Sequence, residues 1–248
     1  MMINALMVDY DGTIAPLGVP RSESRVLARV ESQLRRISIL APVCVVTAKD
    51  YGFVHGRTSF ASGWACIGGL DVRTRNGGVA RSRPRSMGKA LGLARTVEAR
   101  GVHLEMKRGP RGVILGISID WSGNPEIAPM LLGKLATLRR TGFSVVHEMN
   151  STYADVYATP PNKGEATKLL KSLLKIRGNV MFIGDSAMDN TAFQEASVSV
   201  GVTHGQPVEA LRCKYIVDQS RLAEFLQSLA DRGMDFSPRI PWIRRREA

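Results

Sequence analysis

Asp9 and Asp11 stand two residues apart in Asp9-Tyr10-Asp11-Gly12-Thr13, and a second acidic pair, Asp185 and Asp189, stands four apart in Gly184-Asp185-Ser186-Ala187-Met188-Asp189. Clustered carboxylates suit Mg2+, a hard ion that takes one or two of them together with backbone oxygen, water and substrate phosphate. An aspartate can also attack phosphorus, and a second carboxylate two positions away can protonate a departing alkoxide. Gly12 has no Cβ, so the backbone beside it can approach a phosphate closely, and Thr13 offers a hydroxyl and an N–H. Thr47 and Lys163 would complete the oxyanion contacts. Lys163 would supply a fixed cation, and one lost donor of this kind typically costs about 100-fold to 1000-fold in rate. Taken singly, each residue has a plain structural alternative: turn residues for Asp9 and Asp11, a strand-end hydroxyl for Thr47, a surface cation for Lys163, a turn and a helix cap for Asp185 and Asp189.

The pattern of apolar residues brings these side chains to comparable places. Asn4 to Val8 is an apolar run that stops at Asp9, Val43 to Thr47 is rich in β-branched residues, and Val180 to Ile183 stops at Gly184-Asp185. Each reads as a buried strand delivering a polar residue at its C-terminal end. Val26, Val30, Leu34 and Ile37 fit a helix between the first two strands, and Trp64 to Ile67 adds a short strand before the Gly68-Gly69 turn. Arg75 to Arg85 reads as a connection, with a boundary near residue 80. A helix through Met87, Ala90, Leu91, Ala94 and Val97 then precedes alternating strands at 103–108 and 113–121. The order recurs with Ile127, Leu131, Leu135 and Leu138, then strands at 143–149 and 154–158, which makes an αββαββ module. Asn162 is expected to cap a helix through Ala166, Leu169, Leu170, Leu173 and Leu174 that closes at Gly178. Strands at 198–202 and 215–217 and a helix through Leu222, Phe225, Leu226 and Leu229 complete the chain. The expectation is an α/β core from residues 1–80 and 160–248, with an α+β module from 81–159 inserted. Ligands bind such sheets where the strands end at their carboxyl edge.

A chain of 248 residues with 44% hydrophobic content has enough apolar surface for one sizeable core or two modest ones, which excludes intrinsic disorder. Ile37 to Ala48, the longest mostly apolar stretch, is too short to span a membrane and is broken by Pro42. Met1 to Val8 carries no basic leader or small-residue cleavage site, so a cytoplasmic location is expected. Cys44, Cys66 and Cys213 and the four histidines have no zinc-ligand spacing. The Gly-rich nucleotide and dinucleotide fingerprints are absent, as is a Gly-x-Ser-x-Gly elbow. The net charge of +12 favours an anionic partner, and residues 81–160 carry 12 basic and 6 acidic side chains.

The ordered set resembles the haloacid dehalogenase superfamily of aspartate-nucleophile phosphatases. Asp9-Tyr10-Asp11-Gly12-Thr13 is similar to its D-x-D-G-T signature, Thr47 to its strand-end Thr or Ser, Lys163 to its lysine, and Gly184 to Asp189 to its G-D-x-x-x-D motif. The resemblance implies a Rossmann-like three-layer core with Asp9 as nucleophile and Asp11 as general acid and then base. It also implies Mg2+ held by Asp9, the Asp11 carbonyl and Asp185, with Asp189 supporting its waters. Phosphate would lie against Gly12, Thr13, Thr47, Ala48 and Lys163. The insert looks like the C2B-type cap of subfamily IIB. Within that branch trehalose-6-phosphate phosphatases are the most similar, through Gly68-Gly69-Leu70-Asp71 and the Glu105 and Lys107 of a cap strand. The sequence departs from the branch at Gly68, Ala48, Lys49 and Asn190.

The implied function is a Mg2+-dependent phosphomonoesterase acting on a phosphorylated sugar or related small metabolite, with no membrane partner. Asp71, Arg73, Glu105 and Lys107 are the candidates for substrate selection. Glu105 and Lys107 share one face of their strand and either meet the substrate or face water. Arg108 and Arg111 flank a turn, and the tail Arg239 to Arg246 reads as a loosely packed terminus. Alternatives are a phosphoglycolate or mannosyl-3-phosphoglycerate phosphatase, a phosphomutase or, from another class, a basic nucleic-acid-binding module.

Overall fold

Strands that are apolar on both faces pair in parallel beneath helices, whereas alternating strands leave one face free for something polar. The chain contains both kinds, and the computed structural model, which describes residues 1–77, 79–81, 86–147, 151–205 and 210–246, puts them in separate sheets. The first stretch runs β1 (Ile3–Val8), α1 (Ala28–Leu40), β2 (Val43–Val46), α2 (Tyr51–Val54), β3 (Gly63–Cys66), β4 (Asp71–Thr74) and β5 (Val79–Arg81). The second is α3 (Gly88–Glu98), β6 (His103–Arg108), β7 (Ile114–Asp120), α4 (Ala128–Arg140), β8 (Ser144–His147) and β9 (Tyr153–Tyr157). The third is α5 (Lys163–Leu173), β10 (Asn179–Gly184), α6 (Asn190–Glu195), β11 (Val198–Thr203), β12 (Tyr215–Asp218), α7 (Leu222–Asp231) and β13 (Ile243–Arg245).

The first and third stretches share one nine-stranded sheet, ordered β13-β12-β11-β10-β1-β2-β3-β4-β5 and parallel from β12 to β3. Period-two alternation sends neighbouring side chains to opposite faces. Leu6, Val8, Val43, Val45 and Ile183 meet the buried stripes of α1 (Val30, Leu34, Ile37) and α7 (Leu222, Phe225, Leu226, Leu229). Ala5, Met7, Cys44, Val46, Val180 and Phe182 meet Ala166 and Leu170 of α5 and Ala192 and Phe193 of α6. The result is the expected three-layer α/β core.

The middle stretch forms an antiparallel sheet, β6-β7-β9-β8. Ile117, Ile119, Ala154 and Val156 pack on α3 and α4. The opposite face is polar: the register aligns Glu105 with Ser118 and Ser118 with Asp155, and in the next row Lys107 with Gly116 and Gly116 with Tyr157. A Cβ on Gly116 would lie 2.8 Å from the Tyr157 ring, so glycine there makes room for the tyrosine.

Three expectations need correction. The 75–85 connection contains β5, which pairs antiparallel with β4; residues 82–85 lie outside the described residues, as do the last two of the strand expected at 143–149. The C-terminal tail is not loose: β13 pairs antiparallel with β12, and Trp242 lies beneath the Arg221 guanidinium at 4.7 Å. Gly178 does not close α5, which ends at Leu173; at φ +92° it turns the chain into β10, where a Cβ would strike the Asn4 side chain. No helix among the described residues is long and apolar enough to cross a membrane.

The Gly68-Gly69 turn sits directly under the start of α5. Gly69 adopts φ +97°, and a Cβ there would lie 2.7 Å from Ala166 Cβ and 2.9 Å from the Asn162 carbonyl oxygen. Gly69→Ala is therefore expected to destabilise the protein by about 1 to 3 kcal/mol, measured as a lowered urea midpoint, because strain and overlap act together.

Candidate active site

The parallel register sets the site. Val8 aligns with Val45 on one side and Ile183 on the other, so β1, β2 and β10 end at one level and release Asp9, Thr47 and Asp185 together. The Asp9 N–H donates to the Ile183 carbonyl at 2.9 Å, continuing the ladder to the edge. Lys163 arrives from the other side as the first residue of α5, whose cap Asn162 accepts from the N–H groups of Gly164 and Glu165, both at 3.0 Å. Its ammonium lies 2.8 Å from Asp9 Oδ2 and 2.7 Å from Asp189 Oδ1.

Oxygen atoms of Asp9, Asp185 and Asp189 all lie within 4.8 Å of one another, the arrangement among the described residues suited to holding a cation. Asp189, wholly buried, accepts through Oδ2 from the N–H groups of Asp185 and Ser186 and from the Ser186 hydroxyl. This capping box fixes the turn that carries Asp185. Gly184 permits it, since a Cβ there would lie 2.5 Å from Asp189 Cγ. Burial raises the Asp9 carboxyl well above the usual range; Lys163 opposes this, while Asp189 and Asp185 add to it. Asp185 is pushed up to about 6, by burial first and then by Asp189, against the pull of Lys163. Burial also works against the Lys163 proton, but Asp189 and Asp9 outweigh it and hold the ammonium above the ordinary lysine range.

Asp9, Lys163 and Asp185 floor a cavity of about 880 Å3 between the two sheets. Asp9, Asp11, Thr47, Ala48, Lys163 and Asp185 line it from the core, and Glu105, Ser118, Asp120, Tyr153 and Asp155 from the polar face of the second sheet. Gly12 and Thr13, expected at a phosphate, lie against Asp185. The Thr13 hydroxyl donates to Asp185 Oδ1 at 3.1 Å, and Gly12, at φ +69°, would place a Cβ 1.9 Å from Asp185 Oδ2. The Gln219 amide donates to the carbonyls of Gly12, Thr13 and Ala15 and holds that turn. The Asp11 carboxylate stands outside the three-aspartate cluster, 3.4 Å from the Ser24 hydroxyl and 3.5 Å from Lys49 Nζ.

Of the four candidates for substrate selection, only Glu105 lines the cavity; Lys107 is buried against two lining residues, and Asp71 and Arg73 lie away from it. Glu105 lines the cavity and pairs with Arg21. Lys107, 1% exposed, donates to the Ala48 carbonyl at 3.0 Å and lies 3.3 Å from Asp155. Asp71 and Arg73 pair with each other in a fork at 2.7 to 3.1 Å, with the guanidinium over the Tyr51 ring, and do not line the cavity. Two apart on one strand, they share a face, and here the guanidinium folds back onto the carboxylate.

Sequence reasoning missed several lining residues. Asp155 accepts from Ser118 Oγ at 2.6 Å, from Tyr157 Oη at 2.8 Å and from Tyr153 Oη at 3.1 Å. The alternation that singled out Glu105 and Lys107 also applies to Tyr153, Asp155 and Tyr157, so that signal was present. Lys49 follows Thr47 by two residues and was equally findable. Arg21 and Ser24 come from a loop without periodicity, and His204, 3.8 Å from Asp185, follows β11 with no motif to mark it.

The Asp185 shift has a definite sign. A carboxyl whose folded value lies above its unfolded one binds more protons when folded, so stability falls as pH rises from about 4 to about 6 and stays reduced above that. In chelator-treated protein, Asp185→Asn is expected to raise the thermal midpoint more at pH 7.5 than at pH 5. Equal shifts at both values would contradict the assignment.

Residues 134–221 match the family model of haloacid dehalogenase-like hydrolases. No curated protein matches the sequence. Among solved structures, the C-terminal domain of the C. albicans trehalose-6-phosphate phosphatase superposes with a TM-score of 0.73 at 14% identity, over 93% of this chain and 92% of that one. A trehalose-6-phosphate phosphatase related protein gives 0.67 at 19% identity, over 92% and 98%. A subclass IIB sugar phosphatase gives 0.64 at 14% identity, over 94% and 100%. These likenesses concern the fold, which they share across both sheets. Taken with the family-model match over residues 134–221, they give this chain the fold of the haloacid dehalogenase-like hydrolases.

Proposed function

We propose that the protein is a Mg2+-dependent phosphomonoesterase that removes phosphate from a phosphorylated sugar through an aspartyl-phosphate intermediate. The observation that carries this reading is the meeting of Asp9, Asp185 and Lys163 at the floor of a cavity, with the buried Asp189 beside them. A nucleophilic carboxylate, a fixed cation and a hard-cation site then face the same small volume. The donor set is all oxygen and crowded with like charge, which fits Mg2+. Asp9 and Asp185 would hold the ion while Asp189, saturated by its own hydrogen bonds, keeps Asp185 in place. When bound, the ion neutralises charge on the carboxylates and on the phosphoryl oxygens.

The chain's own residues supply the rest. Asp9 attacks phosphorus as the bond to the leaving oxygen breaks, and Asp11 gives that oxygen its proton. Water then attacks the phosphorus of the aspartyl phosphate, Asp11 takes its proton, and the Asp9 carboxylate is regenerated with release of inorganic phosphate. Lys163 and the Thr47 hydroxyl face the transferring oxygens, where a preorganised cation and donor stabilise developing charge.

The leaving group meets the second sheet. That wall offers Glu105, Ser118, Asp120, Tyr153 and Asp155 together with His103, so acceptors and hydroxyls outnumber its one imidazole. Sugar hydroxyls satisfy such a surface. A second anionic group, as in phosphoglycolate or a phosphoglycerate ester, would face three carboxylates, despite the overall +12. The sugar and trehalose-6-phosphate phosphatases that share the fold support the same class of substrate.

In a phosphate-release assay over sugar phosphates, including trehalose-6-phosphate, and phosphoglycolate, the sugar phosphates are expected to be turned over faster. Asp9→Asn should lower release by at least about 1000-fold with an unchanged circular dichroism spectrum; retained activity would reject Asp9 as nucleophile. Chelation should stop turnover, and added Mg2+ should restore it. Mg2+ should also raise the thermal midpoint of the wild type but not of Asp185→Asn, a readout independent of any substrate.

A further inference from the structure

Arg21 belongs to the loop between β1 and α1, and everything that fixes it is in the core except one group. Its guanidinium lies 4.4 Å from the centre of the Phe53 ring and donates to Asp50 Oδ2 at 3.0 Å. Asp50 is itself held as the N-cap of α2, accepting from the Phe53 N–H at 2.8 Å. The remaining partner is Glu105, on β6 of the inserted sheet, across the cavity. Lys49 joins the same carboxylate at 4.0 Å and Asp11 at 3.5 Å. Charges therefore alternate from Asp50 through Arg21, Glu105 and Lys49 to Asp11, and Glu105 is the only member from the inserted module.

Two residues further along β6, Lys107 donates to the Ala48 carbonyl of the core. Side chains two apart on a strand point to the same face about 6 to 7 Å apart. Leu115 and Tyr157 of the inserted module already join the hydrophobic cluster of the core, so the two polar contacts act on the tilt of the upper sheet rather than on its attachment. Arg21 is partly exposed and Glu105 largely covered, so their attraction is screened by salt but not abolished by water.

We propose that Arg21 is a positioning residue: anchored by Asp50 and Phe53, it latches Glu105 and so sets how the inserted sheet closes over the cavity. It acts through Glu105 and not on the phosphate. This rests on the phosphatase reading only for its kinetic consequence, since the latch is present in the protein alone.

The test is a distance measurement by electron spin resonance between labels at Ala136→Cys on α4 and Ser172→Cys on α5. Both positions are exposed, and the native Cys44, Cys66 and Cys213 are buried. The background protein should give one narrow separation in low salt. Arg21→Met, which keeps the stem over Phe53 without the charge, and Glu105→Gln should each lengthen and broaden it, as should 0.5 M salt in the background protein. Arg21→Lys, which keeps the charge, should stay closer to the parent. Unchanged distributions in Arg21→Met and Glu105→Gln overturn the proposal, whether or not phosphate is released. For a sugar phosphate that the enzyme turns over, Arg21→Met should raise KM about tenfold and more than it lowers kcat; a loss confined to kcat also overturns it. A wild type inactive on every phosphate ester defeats the reading of function, and the distance measurement then decides this one alone.

Discussion

The ammonium of Lys163, held between Asp9 and Asp189, is the interaction on which the rest of the site depends. Three aspartates with oxygens inside 4.8 Å repel one another, and burial removes the water that would screen them. One buried cation offsets part of that cost, and the shifted acidities of Asp9 and Asp185 record what remains. A site in this condition is unbalanced in the direction of accepting positive charge.

The surrounding architecture brings distant residues to one point with little freedom to drift. Parallel register ends three strands at one level, Asn162 starts α5 where Lys163 must stand, and the Ser186–Asp189 capping box holds the Asp185 turn. Glycines at 12 and 184 remove the side chains that would separate the aspartates. The inserted sheet is built on the opposite plan, with an apolar face for its own helices and a polar face for the cavity. A hydrogen-bonded group centred on Asp155 orders that second face, so the wall met by a leaving group is preorganised.

Much of this is legible in the sequence, and the reasons for the rest are physical. Uninterrupted apolar runs ending at Asp9, Thr47 and Asp185 fit strands covered on both faces, as in a parallel sheet beneath helices, and point to its carboxyl edge. Alternation from 103 to 158 reveals a one-faced antiparallel sheet. β5 and β13 escape notice because three residues are too few to show a period, and Pro, Gly and Arg around them read as loop. Gly12 and Thr13 lie beside the expected chemistry, and their contacts to Asp185 depend on a left-handed turn that spacing does not encode. Asp71 and Arg73 look like a specificity pair until the fold shows them spent on each other. Arg21 carries no signal at all, since its role depends on a partner 84 positions away.

The two strands that bound the nine-stranded sheet, β5 and β13, are each three residues long and run against their neighbours. An open sheet edge is a template on which another chain can add, and long flat edges invite fibrous association. Here one border is the strand 79–81 and the other Ile243-Arg244-Arg245, so a would-be intruder finds few free amides on either and meets the exposed Arg244 and Arg245 on the second. A protein with so wide a sheet thereby discourages copies of itself from stitching together border to border.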